Sequence, residues 1–246
     1  MRELTERIYI TEAEPEVDRP CMGYIKGEKA SLLVDAGNSP AHAAKLKQEM
    51  QELGLKEPDL LVLTHSHWDH SFGLSSWDAV SYAGTRTNEY LKEMSGWSWQ
   101  MEEFEEHVRT NEIPLFCKPH MLLEYPNLRQ LQEQKDLPKP AEHEISERTV
   151  LDLGGIHCVC IPVVSPHTDD CILIYVPEEK ILFSGDAHCP EVFGIDWVDE
   201  PERLKAFIDA LQNLEFEHCV TGHSDVMTKK ALLQELTERL GDNLCT

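Results

Sequence analysis

The sequence predicts an α/β domain built on mixed sheets, and three observations carry that prediction. Short apolar runs joined by hairpin turns occupy both ends of the chain. Stretches with apolar residues at helical spacing lie between them. A hydrophobic content of 41% over 246 residues suits one large soluble core, alone or with an insertion. Strands alternating with helices in this way place the chain among layered α/β folds.

Arg7 to Ile10 and Cys21 to Ile25 read as strands, and Gly27-Glu28 as a hairpin turn before the strand from Ala30 to Val34. Ser39 and Pro40 then predict a helix start, with serine as N-cap and proline in the first position. Its apolar stripe is Ala43, Leu46 and Met50, and it ends near Gly54. The run Leu60-Leu61-Val62-Leu63 predicts a buried strand that opens into Thr64-His65-Ser66-His67-Trp68-Asp69-His70. Ala79 to Tyr82 is a short strand, and 84–93 a helix.

Residues 94–147 leave this rhythm, with five prolines, Trp97, Trp99 and an acidic cluster at Glu102, Glu103, Glu105 and Glu106. Met101, Phe104 and Val108 repeat at helical spacing, so an amphipathic helix packed on the domain is expected. A long insertion beside a site also reads as a lid over it. Regular alternation resumes with strands at 149–153, 156–164, 171–176, 181–183 and 218–221. Helices are expected at about 201–213 and 228–240, the last carrying Leu232, Leu233, Leu236 and Leu240.

Lysine and arginine number 22 against 45 acidic residues, a formal charge of −23. Such a polyanion is repelled by phosphate backbones and anionic membranes, so a small-molecule substrate is expected as partner, not nucleic acid or a membrane. The charged start has no apolar signal segment, and no run approaches the ~18 apolar residues of a membrane span. Eight scattered cysteines (21, 117, 158, 160, 171, 189, 219 and 245) include no Cys-x-x-Cys. Free thiols and a cytoplasmic location are therefore expected.

The chemistry concentrates after Leu63. His65 and His67 are two apart, so an extended backbone sends both imidazoles to one face. Asp69 and His70 follow where the chain must turn, and can point to a second spot close by. Gathering four polar, partly desolvated groups costs free energy unless something satisfies them, and a bound cation does so. Three later residues also stand where an apolar strand gives way to a loop: His167, Asp186 and His223.

In this order, His65-x-His67-x-Asp69-His70, then His167, Gly185-Asp186 and Gly222-His223, the chain resembles the metallo-β-lactamase superfamily of hydrolases over about residues 7–240. The resemblance implies a single domain over 1–246, a four-layer αββα sandwich, with a helical insertion at 94–147 and metals in a cleft along the edge between two sheets. It implies that His65, His67 and His167 bind one metal, that Asp69, His70 and His223 bind a second, and that Asp186 bridges them. Two divalent ions are expected, zinc first, with iron or manganese as alternatives, because imidazole and carboxylate suit all three. A hydroxide shared by ions about 3.5–4 Å apart would attack a carbonyl or phosphoryl centre, with Asp69 orienting it and carrying its proton. The expected activity is hydrolysis of a small ester-like bond: a thioester, lactone or phosphoester.

Some residues read two ways. Pro166 stands where the family often has glycine before the histidine. Asp169 either orients a histidine or caps a turn, the second being favoured. Asp35 is a candidate support behind the ligands. His188 is a candidate proton donor, although solvent exposure is favoured for it, as for Lys118 and His120. The exported antibiotic-degrading, flavin-partnered and RNA-cleaving branches are set aside, on the absent export signal, the missing flavin domain and the charge. From another class, the alternative is a mononuclear non-haem iron oxygenase or redox enzyme acting on a thiol, using two histidines and one aspartate of the same set.

Overall fold

The computed structural model describes residues 1–133 and 138–243. Its first sheet runs β1 (Arg2–Thr5), β2 (Ile8–Ile10), β3 (Gly23–Lys26), β4 (Ser31–Val34), β5 (Leu60–Val62), β6 (Val80–Gly84) and β7 (His143–Ile145), in that spatial order. Pairing is antiparallel from β1 to β4 and parallel from β4 to β7. The second sheet begins with the antiparallel set β8 (Thr149–Asp152), β9 (His157–Pro162), β10 (Ile172–Val176) and β11 (Ile181–Gly185). A separate hairpin, β12 (Glu191–Phe193) and β13 (Asp196–Val198), follows. Then β14 (His218–Thr221) joins parallel to β11, and β15 (Met227–Thr228) closes the edge.

Helix α1 (Pro40–Glu52) links β4 to β5, the single turn α2 (Trp68–Ser71) follows β5, and α3 (Thr85–Met94) follows β6. The segment beyond carries α4 (Met101–Arg109), α5 (Cys117–Glu124) and α6 (Arg129–Glu133), and the C-terminal part adds α7 (Pro201–Gln212) and α8 (Lys229–Asn243). The start of α1 is as the sequence predicts: Ser39 Oγ accepts the His42 N–H at 3.0 Å, and Pro40 fills the first position.

Strand periodicity builds the layers. Leu32 and Val34 of β4 meet Ile172, Ile174 and Val176 of β10 in a core between the sheets. Leu33 points the other way, into the cluster holding Ala43, Leu46 and Met50 of α1 and Leu91 of α3. On the far side, Leu173 and Tyr175 pack with Leu204, Phe207 and Leu211 of α7 and Leu232 and Leu236 of α8. The result is the αββα sandwich. Each fully buried Leu, Ile or Val in it contributes about 1.5–3 kcal/mol.

The segment 94–147 has a cluster of its own, in which Trp99, Phe104, Met121, Tyr125 and Leu128 pack on Trp68 and Phe72. Its last part differs from expectation, because His143–Ile145 is a strand parallel to β6. Only Ile145 of the three is buried, so no periodic signal marked it. Residues 134–137 of this segment, and Cys245, lie outside the described residues. Among the described residues, no helix is long and apolar enough to cross a membrane.

Candidate metal centre

Two cross-links bring the ends of the sheets together. The Thr64 carbonyl, just past β5, accepts the Ile172 N–H at 2.8 Å, and the Gly222 carbonyl, just past β14, accepts the Cys21 N–H at 2.6 Å. At His67 the backbone has φ −55° and ψ 146°, and the chain then closes into α2. The Ser71 hydroxyl donates to the Ser66 and His67 carbonyls at 2.9 Å each, which braces that turn. The imidazoles of the extended part and the Asp69 and His70 side chains of the turn thus leave toward adjacent points.

All seven residues singled out from the sequence converge there, in two groups. His65, His67 and His167 form one, and Asp69, His70, Asp186 and His223 the other, the ligand atoms of each lying within 4.8 Å of one another. His67 Nδ1 is 3.0 Å from His167 Nε2. Asp69 Oδ2 is 3.0 Å from His223 Nε2 and 3.1 Å from His70 Nε2. Asp186 Oδ2 stands 3.4 Å from both His70 Nε2 and His223 Nε2, and 3.9 Å from His167 Nε2, so it reaches both groups.

The donor set fits divalent ions. Among the described residues, His65 Nε2 and Asp186 Oδ1 are buried without a hydrogen-bond partner. Leaving such a group unsatisfied costs about 1–3 kcal/mol each, and a cation at the meeting point of their lone pairs removes that cost. Gly222 is part of the cradle, because a Cβ there would lie 2.0 Å from Asp186 Oδ1.

Supporting contacts fix which nitrogen faces inward. Asp35, buried and in the left-handed region at φ 66°, accepts from His70 Nδ1–H at 2.7 Å. The same Oδ2 accepts the Thr64 hydroxyl at 3.0 Å, and that oxygen accepts from His65 Nδ1–H at 3.0 Å. One carboxylate therefore orients a histidine of each group, a support of the kind that raises ligand basicity. On the other side His167 Nδ1–H donates to the Pro190 carbonyl at 3.0 Å.

The family model for the metallo-beta-lactamase superfamily matches residues 22–227. The chain belongs to the metallo-beta-lactamase superfamily. Solved structures share the fold. The DIM-1 metallo-beta-lactamase gives a TM-score of 0.66 at 18% identity, covering 98% of this chain and 96% of its own. A metallo-beta-lactamase family protein of Thermus thermophilus gives 0.64 at 19% identity, covering 99% and 81%. A superfamily protein of the archaeon Sulfolobus tokodaii gives 0.62 at 20% identity, covering 96% and 87%. Among curated proteins, the anaerobic nitric oxide reductase flavorubredoxin of Pectobacterium atrosepticum is 23% identical over 225 residues, 90% of this chain. This chain spans only 36% of that relative's length.

Within this superfamily site the two groups differ electrostatically. Burial, then the neighbouring imidazoles, push His65 well below the usual histidine range, and burial followed by His67 takes His167 down to about 3. For His70 burial works against the charge, but Asp69, Asp186 and Asp35 outweigh it and hold its pKa well above the usual value. His223 is raised in the same way, by Asp186 and Asp69 against burial. Without ions, His70 and His223 therefore hold a proton more tightly than an ordinary histidine, and His65 and His167 less tightly. A metal must displace the two protons, so affinity at the second group rises with pH until those raised pKa values are passed, and falls as pH drops. Zinc titration by calorimetry at pH 7, in buffers of different ionisation heat, is expected to show net proton release on full loading. Release of none would contradict the assignment.

The remaining candidates divide. Asp169 does not touch His167. At the surface it accepts from Arg86 Nη2 at 3.1 Å and Tyr90 Oη at 3.0 Å. Its neighbour Asp170, which the sequence did not single out, is buried and accepts the Ser66 N–H at 3.0 Å, tying the His167 loop to the histidine loop. His188 is not exposed as expected: it is 4% accessible, with Cys189 Sγ 3.6 Å from Nε2. Lys118 pairs with Glu105 at 2.6 Å, and His120 Nδ1 lies 3.2 Å from the Phe116 carbonyl. Asp18 was also missed. It is buried in a left-handed turn (φ 51°), and its carboxyl is pushed up to about 7 by burial and then by the charge of Asp69. Nothing in its sequence neighbourhood carries a spacing that would have marked it.

A cavity of about 520 Å³ opens beside the centre, with His67 and His167 in its lining. Trp97, Trp99, Ile113, Cys117 and Met121 from the inserted segment form much of the opposite wall.

Proposed function

We propose that this protein is a metal-dependent hydrolase that uses a dinuclear centre to cleave a small ester-like bond, in a thioester, lactone or phosphoester. The observation that supports it best is the convergence of two ligand groups with Asp186 within reach of both. Bound there, two divalent ions, zinc first and iron or manganese as alternatives, would supply Lewis acidity and a water acidified toward neutrality. His65, His67 and His167 would hold the ion beside the cavity, and Asp69, His70 and His223 the other, with Asp186 between.

Asp69 is the catalytic residue of this reading. Its Oδ2 sits between His70 and His223, and it would take the proton of the attacking water at that atom. Asp35 would keep His65 and His70 in the tautomers that point their Nε2 lone pairs inward. The segment 94–147 would act as wall and lid of a single domain, keeping bulk water from the scissile bond. The charge of −23 favours a small molecule over nucleic acid or a membrane surface as the partner.

The likeness to flavorubredoxin supports a second reading, an iron-dependent redox enzyme on the same residues, although the sequence reading sets the flavin-partnered branch aside. Metal analysis of the protein as purified, followed by a panel of thioester, lactone and phosphodiester substrates, separates the two. Two ions per chain and ester turnover, lost on chelation and restored by zinc, are the expected result. Iron with oxygen uptake and no ester turnover would transfer the assignment to the redox reading.

A further inference from the structure

The cavity beside the centre has room for more than the reacting group. At about 520 Å³ it falls in the range of about 300–1,000 Å³ typical of pockets that enclose whole small molecules. Trp68, Phe72, Trp97 and Trp99 give it an aromatic lining, which Ile113 and Val192 extend. Five carboxylates also reach the lining, but three of them are engaged with cations. Glu112 meets His107 at 2.8 Å, Asp169 meets Arg86 at 3.1 Å, and Glu191 meets Arg203 at 2.9 Å. His67 and His167 stand in the same lining, so a scissile group held at the proposed ion has apolar surface beside it.

That surface continues outward. Val192 is the cross-strand partner of Trp197 in the β12–β13 hairpin, so the two side chains leave on one face. Val192 is buried in the cavity wall, whereas Trp197 is 49% exposed. Phe116, bonded to the lining residue Cys117, meets the Trp197 ring edge-on with centroids 5.6 Å apart. The hairpin is also tied to the inserted segment by its backbone. The Gly194 N–H donates to Asn111 Oδ1 at 2.6 Å, and the Gly194 carbonyl accepts the Phe116 N–H at 3.0 Å. An indole left half in water at the end of an apolar wall offers area that an apolar occupant can cover.

We infer that the cavity wall and the Trp197 face of the hairpin form one track for a long apolar chain on the substrate. The ester end would lie at His67 and His167, and the far end of the chain on Trp197. This rests on the hydrolase reading for the reaction, but the track can be read without turnover. The first measurement is binding of the neutral series butanol, hexanol, octanol and decanol to the metal-loaded protein, by calorimetry and tryptophan fluorescence. Affinity is expected to rise about fourfold for each added methylene that the wall covers. Trp197→Ser, at an exposed position, is expected to weaken decanol severalfold and leave butanol unaltered. Phe193→Ser, one residue along from Val192 and so on the opposite face, is expected to leave the whole series unaltered.

The second measurement compares kcat/KM for acetyl, hexanoyl and decanoyl thioesters of one leaving group, and a rise at each step is expected. Affinity flat along the alkanols, equal losses from both substitutions, or a loss from neither overturns the inference. So does a Trp197→Ser protein whose only change, read by sedimentation, is in oligomeric state, which would assign that face to a second copy of the chain. Length-dependent binding with no thioester cleaved would leave the inference standing and count against the thioesterase branch of the hydrolase reading.

Discussion

Asp186→Ala is expected to abolish metal-dependent turnover while the chain stays folded. The side chain is the one carboxylate of the seven within 4 Å of nitrogens in both groups, so its removal strips a ligand from each. Loss of a mere supporting partner costs about 10–100-fold in metal affinity or activity, so loss of the shared ligand should exceed that, on the order of 10³-fold or more. The fold should survive because Asp186 lies past the end of β11, outside the apolar clusters that join the layers. Metal content, turnover at matched loading and the melting temperature of the stripped protein check the three parts of this expectation. Hydrolysis undiminished at equal loading would end the dinuclear proposal.

Gly222→Ala is the second large effect, and it acts through shape alone. The new Cβ would stand 2.0 Å from Asp186 Oδ1 and 3.0 Å from His70 Cε1, inside contact distance of two proposed ligands at once. The backbone has little room to retreat, since the Gly222 N–H donates to the Gly185 carbonyl at 3.0 Å and its carbonyl accepts from Cys21. Asp186 must therefore swing away from His70 and His223. Zinc affinity at the second group is expected to fall by about 100-fold, the upper end of what a misplaced ligand environment costs, with a smaller loss at the histidine trio. Competition titration with a chromophoric chelator reads both affinities, and two unchanged constants would show that the cradle yields.

His65, His167, Asp186 and His223 stood out because each follows the end of a strand, and His67, Asp69 and His70 because they crowd into the same short stretch. Strand periodicity gave the layers for the same reason: Leu32, Leu33 and Val34 are all apolar, as a strand buried on both faces must be. What escaped depends on contacts between distant segments. Asp170 is buried because Ser66 offers it an N–H from 104 positions away, and Asp169 beside it is not. His188 is drawn inside although one histidine after a loop aspartate has no pattern to show it. The hairpin of β12 and β13 exposes Phe193, Trp197 and Val198, so a rule that hides apolar residues does not find it.

One peptide serves two masters in this fold. Trp68 belongs to the aromatic lining, yet it is bonded directly to Asp69 and stands close before His70, all within one short turn. The Ser71 hydroxyl braces that turn through the Ser66 and His67 carbonyls. A substitution that shifts the indole is therefore expected to disturb Asp69 as well.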